Sequence, residues 1–179
     1  RVPSKAMTWE QIESEVLALK GDALTHLTKI KEAISCCDKA FEVDPNNFKA
    51  WMYKAHAYGI LREFKEMKEC IKKGYLIHEM NPFPDPMGFL DLLATIADDW
   101  KAKEIPIKLL GAQCLTCKNQ HAILQYPEND EKSTILHLPP PFCKLRPENR
   151  MVGERKNGKP GLYVYEEKDA AKFNLFVKA

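Results

Sequence analysis

No apolar run in this 179-residue sequence approaches the roughly 18 residues needed to cross a bilayer, which argues against a transmembrane helix. Six cysteines are too few, and too irregularly spaced, for the disulfide framework of a secreted protein. Reduced thiols, and with them the cytosol or the nucleus, are the expected setting. Also missing are a glycine-rich phosphate loop, a nucleophile elbow and a paired-carboxylate motif. His26, His56 and His78 each stand alone along the chain. These absences argue against an enzyme. The weak opening left for redox chemistry is the C-x-x-C at Cys114 and Cys117, and no helix N-terminus or βαβ context beside it would depress a thiol pKa. Arg1 opens the sequence, as expected for a piece trimmed from a longer chain.

An apolar content of 45% with 29% charged residues is that of an ordinary globular protein. The net charge of +2 hides an asymmetry. Residues 1–104 carry 15 Lys/Arg against 17 Asp/Glu, whereas residues 105–179 carry 12 against 8. Seven of the twelve prolines also lie beyond residue 104. Composition and periodicity change together near Glu104, so a helical region over 1–104 and a small β-rich region over 105–179 are expected.

The helical region repeats itself. Residues 14–47 laid on 48–81, an offset of 34, match Leu17 with Trp51, Gly21 with Ala55, Leu24 with Tyr58 and Leu27 with Leu61. The match continues through Ile30 with Phe64, Ala33 with Met67, Cys37 with Ile71 and Ala40 with Gly74. Over residues 8–27, Trp9, Ile12, Val16, Leu19 and Ala23 share one helical face, which an antiparallel helix pair is expected to pack, and Thr8 with Gln11 forms a capping box. Small residues such as Gly21, Ala33, Ala40, Ala55 and Gly74 suit close helix approach. "DPNN" ends the second helix, with Asn46 or Asn47 capping the third. The adjacent Cys36 and Cys37, with Cys70, then read as packing residues, Cys37 on the buried face and Cys36 on a less committed one. Two units seldom bury enough surface, and "DPMGFLDLLATIADDW" supplies a capping helix. Asp85 caps it, Pro86 starts it, and Phe89, Leu92, Leu93, Ile96 and Trp100 form its stripe.

These residue sizes at this spacing resemble the tetratricopeptide repeat family of helix–turn–helix units. The fold this implies is mainly α, a helical hairpin array followed by a small β-rich segment. The function it implies is a non-enzymatic adaptor or scaffold, or a co-chaperone-like module, holding a peptide or partner protein in a groove lined by the first helix of each pair. Carried over by position, the groove residues are Glu15, Ala18, Asp22 and Thr25, then Lys49, Met52, His56 and Gly59. Asp22, Lys49, Met52 and His56 are the principal partner-binding candidates. One subgroup grips chaperone C-terminal carboxylates with lysine and asparagine. Here Asp22 and His56 stand at the asparagine positions and Ala18 replaces the first lysine, and an acidic Asp22 would repel such a tail.

Beyond Ile105 the period shortens toward two. "HAILQY", "STILHL", "GLYVYEE" and "KFNLFVK" read as short strands separated by "PEND", "PPPF" and "RKNGKPG". A region of this size needs support from the helices or from a metal. The C-x2-C pair Cys114 and Cys117, joined by His137 and Cys143, is the available zinc set, with His121 spare. The second half of that set has no regular knuckle, so a metal-free packed arrangement is the favoured expectation and no cofactor is required. Residues 144–161 hold six basic residues against two acidic ones, which would suit phosphates of a nucleic acid. No aromatics interleave them, and a solvated loop is the simpler reading.

Overall fold

A computed structural model describes residues 6–80, 86–114, 120–129, 132–138, 163–166 and 175–178. Five helices come first: α1 (Trp9–His26), α2 (Ile30–Val43), α3 (Phe48–Ile60), α4 (Phe64–Met80) and α5 (Pro86–Ala102). Five strands follow: β1 (Lys108–Cys114), β2 (Gln120–Asn129), β3 (Lys132–Leu138), β4 (Tyr163–Glu166) and β5 (Leu175–Lys178). The chain is therefore a mainly helical hairpin array followed by a β segment.

Local chemistry starts and stops these helices. The Thr8 hydroxyl accepts from the Gln11 amide at 3.2 Å, and the Gln11 side chain accepts from the Thr8 amide at 3.0 Å, completing the expected capping box. Asn47, rather than Asn46, caps α3 by accepting from the Ala50 amide at 3.2 Å. Its amide nitrogen also donates to Ser14 Oγ at 2.9 Å, and that hydroxyl donates to the Ala40 carbonyl at 2.8 Å. One buried polar chain thus joins α1, the end of α2 and the start of α3.

The helix ends disclose a regularity that the sequence comparison missed. Thr28, Arg62 and Glu104 are left-handed, with φ of 62°, 61° and 56°. After α1, Lys29 N–H reaches the Leu24 carbonyl and Thr28 N–H the Thr25 carbonyl. After α3 the same pair of bonds runs from Glu63 to Tyr58 and from Arg62 to Gly59. After α5 it runs from Ile105 to Trp100 and from Glu104 to Lys101. This is one Schellman stop used three times. Aligned on it, Leu17, Trp51 and Leu93 coincide, as do Gly21, Ala55 and Ala97, and Leu24, Tyr58 and Trp100. The helix expected as a cap is thus built as the first helix of a third unit.

The second helix of that unit is absent, and a sheet follows instead. The sheet is antiparallel in the order β4-β3-β2-β1-β5. Strands arise in all four segments expected from their alternation, and β1 is an addition. "KLLGAQC" lacks a clean alternation, and β1 is held by pairing with β2 on one side and β5 on the other. Pro127 falls at an irregularity near the end of β2, where a missing donor is tolerated. Ile105, Ile107, Ala122, Leu124, Tyr126 and Leu136 join Met67, Ile71, Tyr75, Phe89, Leu93 and Trp100 in a single hydrophobic cluster. The β segment leans on α4 and α5, so its core is continuous with that of the helices.

One expectation is reversed. Trp9, Ile12, Val16, Leu19 and Ala23 face solvent, with Trp9 83% and Val16 58% exposed, while α1 buries Ser14, Ala18, Gly21 and Thr25. Close approach decides this. A Cβ on Gly21 would lie 2.7 Å from Cys37 Sγ and 3.1 Å from the Ala33 carbonyl, so α2 presses on the small-residue face. The cysteines are core thiols as expected, and Cys36 is buried too. Burial pushes the Cys37 thiol up to about 12 and the Cys70 thiol up to about 11.

Candidate functional site

The face that the repeat pattern assigns to a ligand is largely closed in this chain. Ala18, Thr25 and Met52 are fully buried, and His56 is 1% exposed. Met52 does not line an open groove. Its sulfur lies 3.2 Å from the place a Gly74 Cβ would take, inside the α3–α4 contact. Gly59 is covered by α5, where a Cβ would come within 2.3 Å of Trp100 Nε1. Trp100 lies in that space and donates from Nε1 to the His56 carbonyl at 3.1 Å. Glu15 and Lys49 stay partly exposed but pair with each other at 2.5 Å. Beside them an open cleft of about 310 Å³ has Met7, Gln11 and Asn47 on its wall.

The groove positions that do converge are Asp22 and His56, which the offset of 34 makes equivalent in successive units. His26 lies one helical turn after Asp22 on α1, and Asp99 arrives from α5. His56 Nε2 is 2.7 Å from Asp99 Oδ2, and His56 Nδ1 is 3.6 Å from Asp22 Oδ1. His26 Nε2 lies 3.6 Å from the same Asp22 oxygen, and His26 Nδ1 lies 3.9 Å from Asp99 Oδ1. Burial alone would push the Asp99 carboxyl up, but hydrogen bonds from Lys103 and His56 outweigh it and hold Asp99 below the usual range. The sequence reading named Asp22 and His56 and missed His26 and Asp99. The i, i+4 spacing of Asp22 and His26 was the available signal. Asp99 had none, because α5 is out of register with the 34-residue offset.

Of the candidate zinc set in the β region, Cys114 and His137 lie among the described residues, and their backbones stand apart. His137 pairs with Ile123 and Ile123 with Leu110, so His137 and Leu110 stand level on strands β3 and β1. Cys114 lies four residues beyond Leu110. At about 3.4 Å per residue and about 4.8 Å per strand, the two backbones are about 13 Å apart along the sheet and about 10 Å across it. Residues so separated do not share one tetrahedral ion with bonds of about 2.0–2.3 Å. Cys117 and Cys143 lie outside the described residues, as does the basic segment 144–161.

The exposed apolar face of α1 has a counterpart in unit two. At the offset of 34, Val16, Leu19 and Ala23 correspond to Ala50, Tyr53 and Ala57, which are 0%, 8% and 0% exposed. Ala50 and Tyr53 pack with Ala18, Cys37 and Ala40 of unit one. The same face is therefore covered in one unit and open in the other.

Comparison with known proteins fits this architecture. Residues 14–47 match the tetratricopeptide repeat model, and the five-helix array agrees with repeats of that kind. Searches of curated proteins and of solved structures return no match. Tetratricopeptide repeats generally mediate protein–protein interaction and are a non-catalytic module.

Proposed function

With a tetratricopeptide repeat at residues 14–47 as premise, we propose that this chain is a non-enzymatic protein–protein interaction module whose docking surface is the outer face of α1. The observation that carries the reading is the exposed stripe of Trp9, Ile12, Val16, Leu19 and Leu27, with Trp9 83% and Leu27 65% exposed. A contiguous apolar face of this kind marks an interaction site. The occupant is a helical segment of a partner protein, because the equivalent face of unit two is covered by helices of its neighbour. The groove of the usual repeat is a poorer surface here, since Trp100 and internal ion pairs fill it.

Photo-crosslinking from a benzophenone side chain at Val16 tests this directly. A defined adduct to one partner protein is expected from Val16 and not from exposed Lys31. The Val16→Asp/Leu19→Asp variant is expected to lose that partner while keeping its circular dichroism and melting temperature. Retention by this variant, with loss in Lys49→Glu, would move the surface back to the groove.

A further inference from the structure

The Asp22, His26 and His56 cluster has an electrostatic problem that its neighbours do not solve. His56 is buried, and its Nε2 is used in the 2.7 Å hydrogen bond to Asp99 Oδ2. Asp99 is an acceptor, so Nε2 carries the proton and, in the neutral ring, Nδ1 presents a bare lone pair. That Nδ1 is buried without a hydrogen-bond partner. What faces it, 3.6 Å away, is the carboxylate oxygen of Asp22, another lone pair. An imidazole and a carboxylate aim electron pairs at the same point. Such an arrangement calls for a cation between them.

We propose that Asp22, His26 and His56 bind one divalent transition-metal ion of the zinc class, which ties α1 of the first unit to α3 of the second. The three groups each offer one ligand atom, and these lie within 4.8 Å of one another. Ligands at about 2.0–2.1 Å around a tetrahedral ion are about 3.3 Å apart, close to the 3.6 Å at which both imidazoles stand from Asp22 Oδ1. Asp22 and His26, at i and i+4, project from one side of α1 and clasp an ion without backbone movement. Two imidazoles with one carboxylate suit zinc, cobalt or nickel rather than calcium or magnesium.

Asp99 completes the outer layer. It holds His56 in the tautomer that leaves Nδ1 free, the carboxylate–histidine–metal arrangement. The charges facing the two imidazoles are Asp22 and Asp99, with Lys103 on the other oxygen of Asp99. Two carboxylates against one ammonium leave a negative surplus where the ion would sit. Trp100 closes the inner side, its ring 6.1 Å from that of His56. His26 is half exposed and leaves the outer side open as an entry path and as a fourth coordination position.

The competing cation is a proton, which would make His56 an imidazolium between Asp22 and Asp99. Its N–H would then meet Asp22 at 3.6 Å, beyond ordinary hydrogen-bond length. Isothermal titration of the whole chain with Zn²⁺, checked by native mass spectrometry, separates the two. One equivalent is expected, retained in Cys114→Ser/Cys117→Ser and weakened at least about tenfold in His26→Ala. Because His26 is half exposed, that variant keeps the fold where His56→Ala risks losing it. With Co²⁺ as probe, visible bands without a thiolate charge-transfer band are expected. No stoichiometric Zn²⁺ in the parent chain overturns the proposal, as does undiminished binding in His26→Ala or a thiolate band from Co²⁺.

Discussion

The two helical hairpins obey one pattern of residue sizes at an offset of 34, yet the chain treats their outer faces in opposite ways. In unit two, Ala50, Tyr53 and Ala57 are buried, the first two against unit one. In unit one, Val16, Leu19 and Ala23 stand in water. The inner contacts differ less. Gly21 and Ala55 both sit at tight crossings, and both hairpins turn on a left-handed residue. A repeat therefore encodes how its own two helices meet, whereas its neighbour determines whether the next face is a core or a surface.

The sharpest contrast lies between two tryptophans. Trp100 is fully buried against Gly59 and His56, so Trp100→Ala is expected to cost about 3–5 kcal/mol in urea unfolding. Trp9, 83% exposed, is expected to change stability by no more than about 0.5 kcal/mol when replaced by alanine. Equal effects would mean that α1 packs through its apolar stripe after all. The glycines rank next. Gly21→Ala puts a methyl 2.7 Å from Cys37 Sγ and should cost roughly 1–3 kcal/mol. Gly74→Ala should cost less, because its nearest atom is the sulfur of a flexible Met52 at 3.2 Å.

Alkaline stability tests the shared interior of the two units. The Cys37 thiol is pushed from 9.0 up to about 12, and the Tyr53 hydroxyl from 10.0 up to about 12, in both cases first by burial. The folded chain holds these protons more tightly than the unfolded chain does. Their contribution is complete below pH 9 and is lost progressively as pH rises toward 12, which denaturation curves across that window should show. For the same reason Cys37 and Cys70 should resist alkylation at pH 8 until the protein is unfolded. A modest effect is expected at the open end, where Thr8→Ala should lower stability by about 1 kcal/mol through loss of the capping box. Amide exchange in α1 should accelerate more than in α3.

Helix positions, caps, the small-residue crossings and four of the five strands were legible in the sequence because each follows from local periodicity or local turn chemistry. The partner of a face was not. The stripe from Trp9 to Ala23 was correctly seen as a stripe and wrongly assigned to the core, since periodicity states that residues share a side and is silent on what lies opposite. β1 escaped notice because its stability resides in two neighbouring strands, not in its own alternation. His26 and His56 look solitary along the chain, separated by 30 positions. They meet with ring centres 5.4 Å apart because antiparallel pairing returns the first helix of each unit to the side of the last. Cys114 and His137 show the opposite case: the sequence offered them as partners, and strand register sets their backbones apart.

Trp100 lying on Gly59 gives the array a direction. A stack of like units with two matching ends can add copies without limit, each new surface receiving the next, and that is the geometry of a fibre. Here one end is sealed by an indole ring and a sheet that share their core with the second unit, whereas at the other end, among the described residues, the apolar stripe of α1 is exposed. With one end sealed and the other an open apolar stripe, the two ends of the described array are unlike, which disfavours head-to-tail growth through one repeated contact.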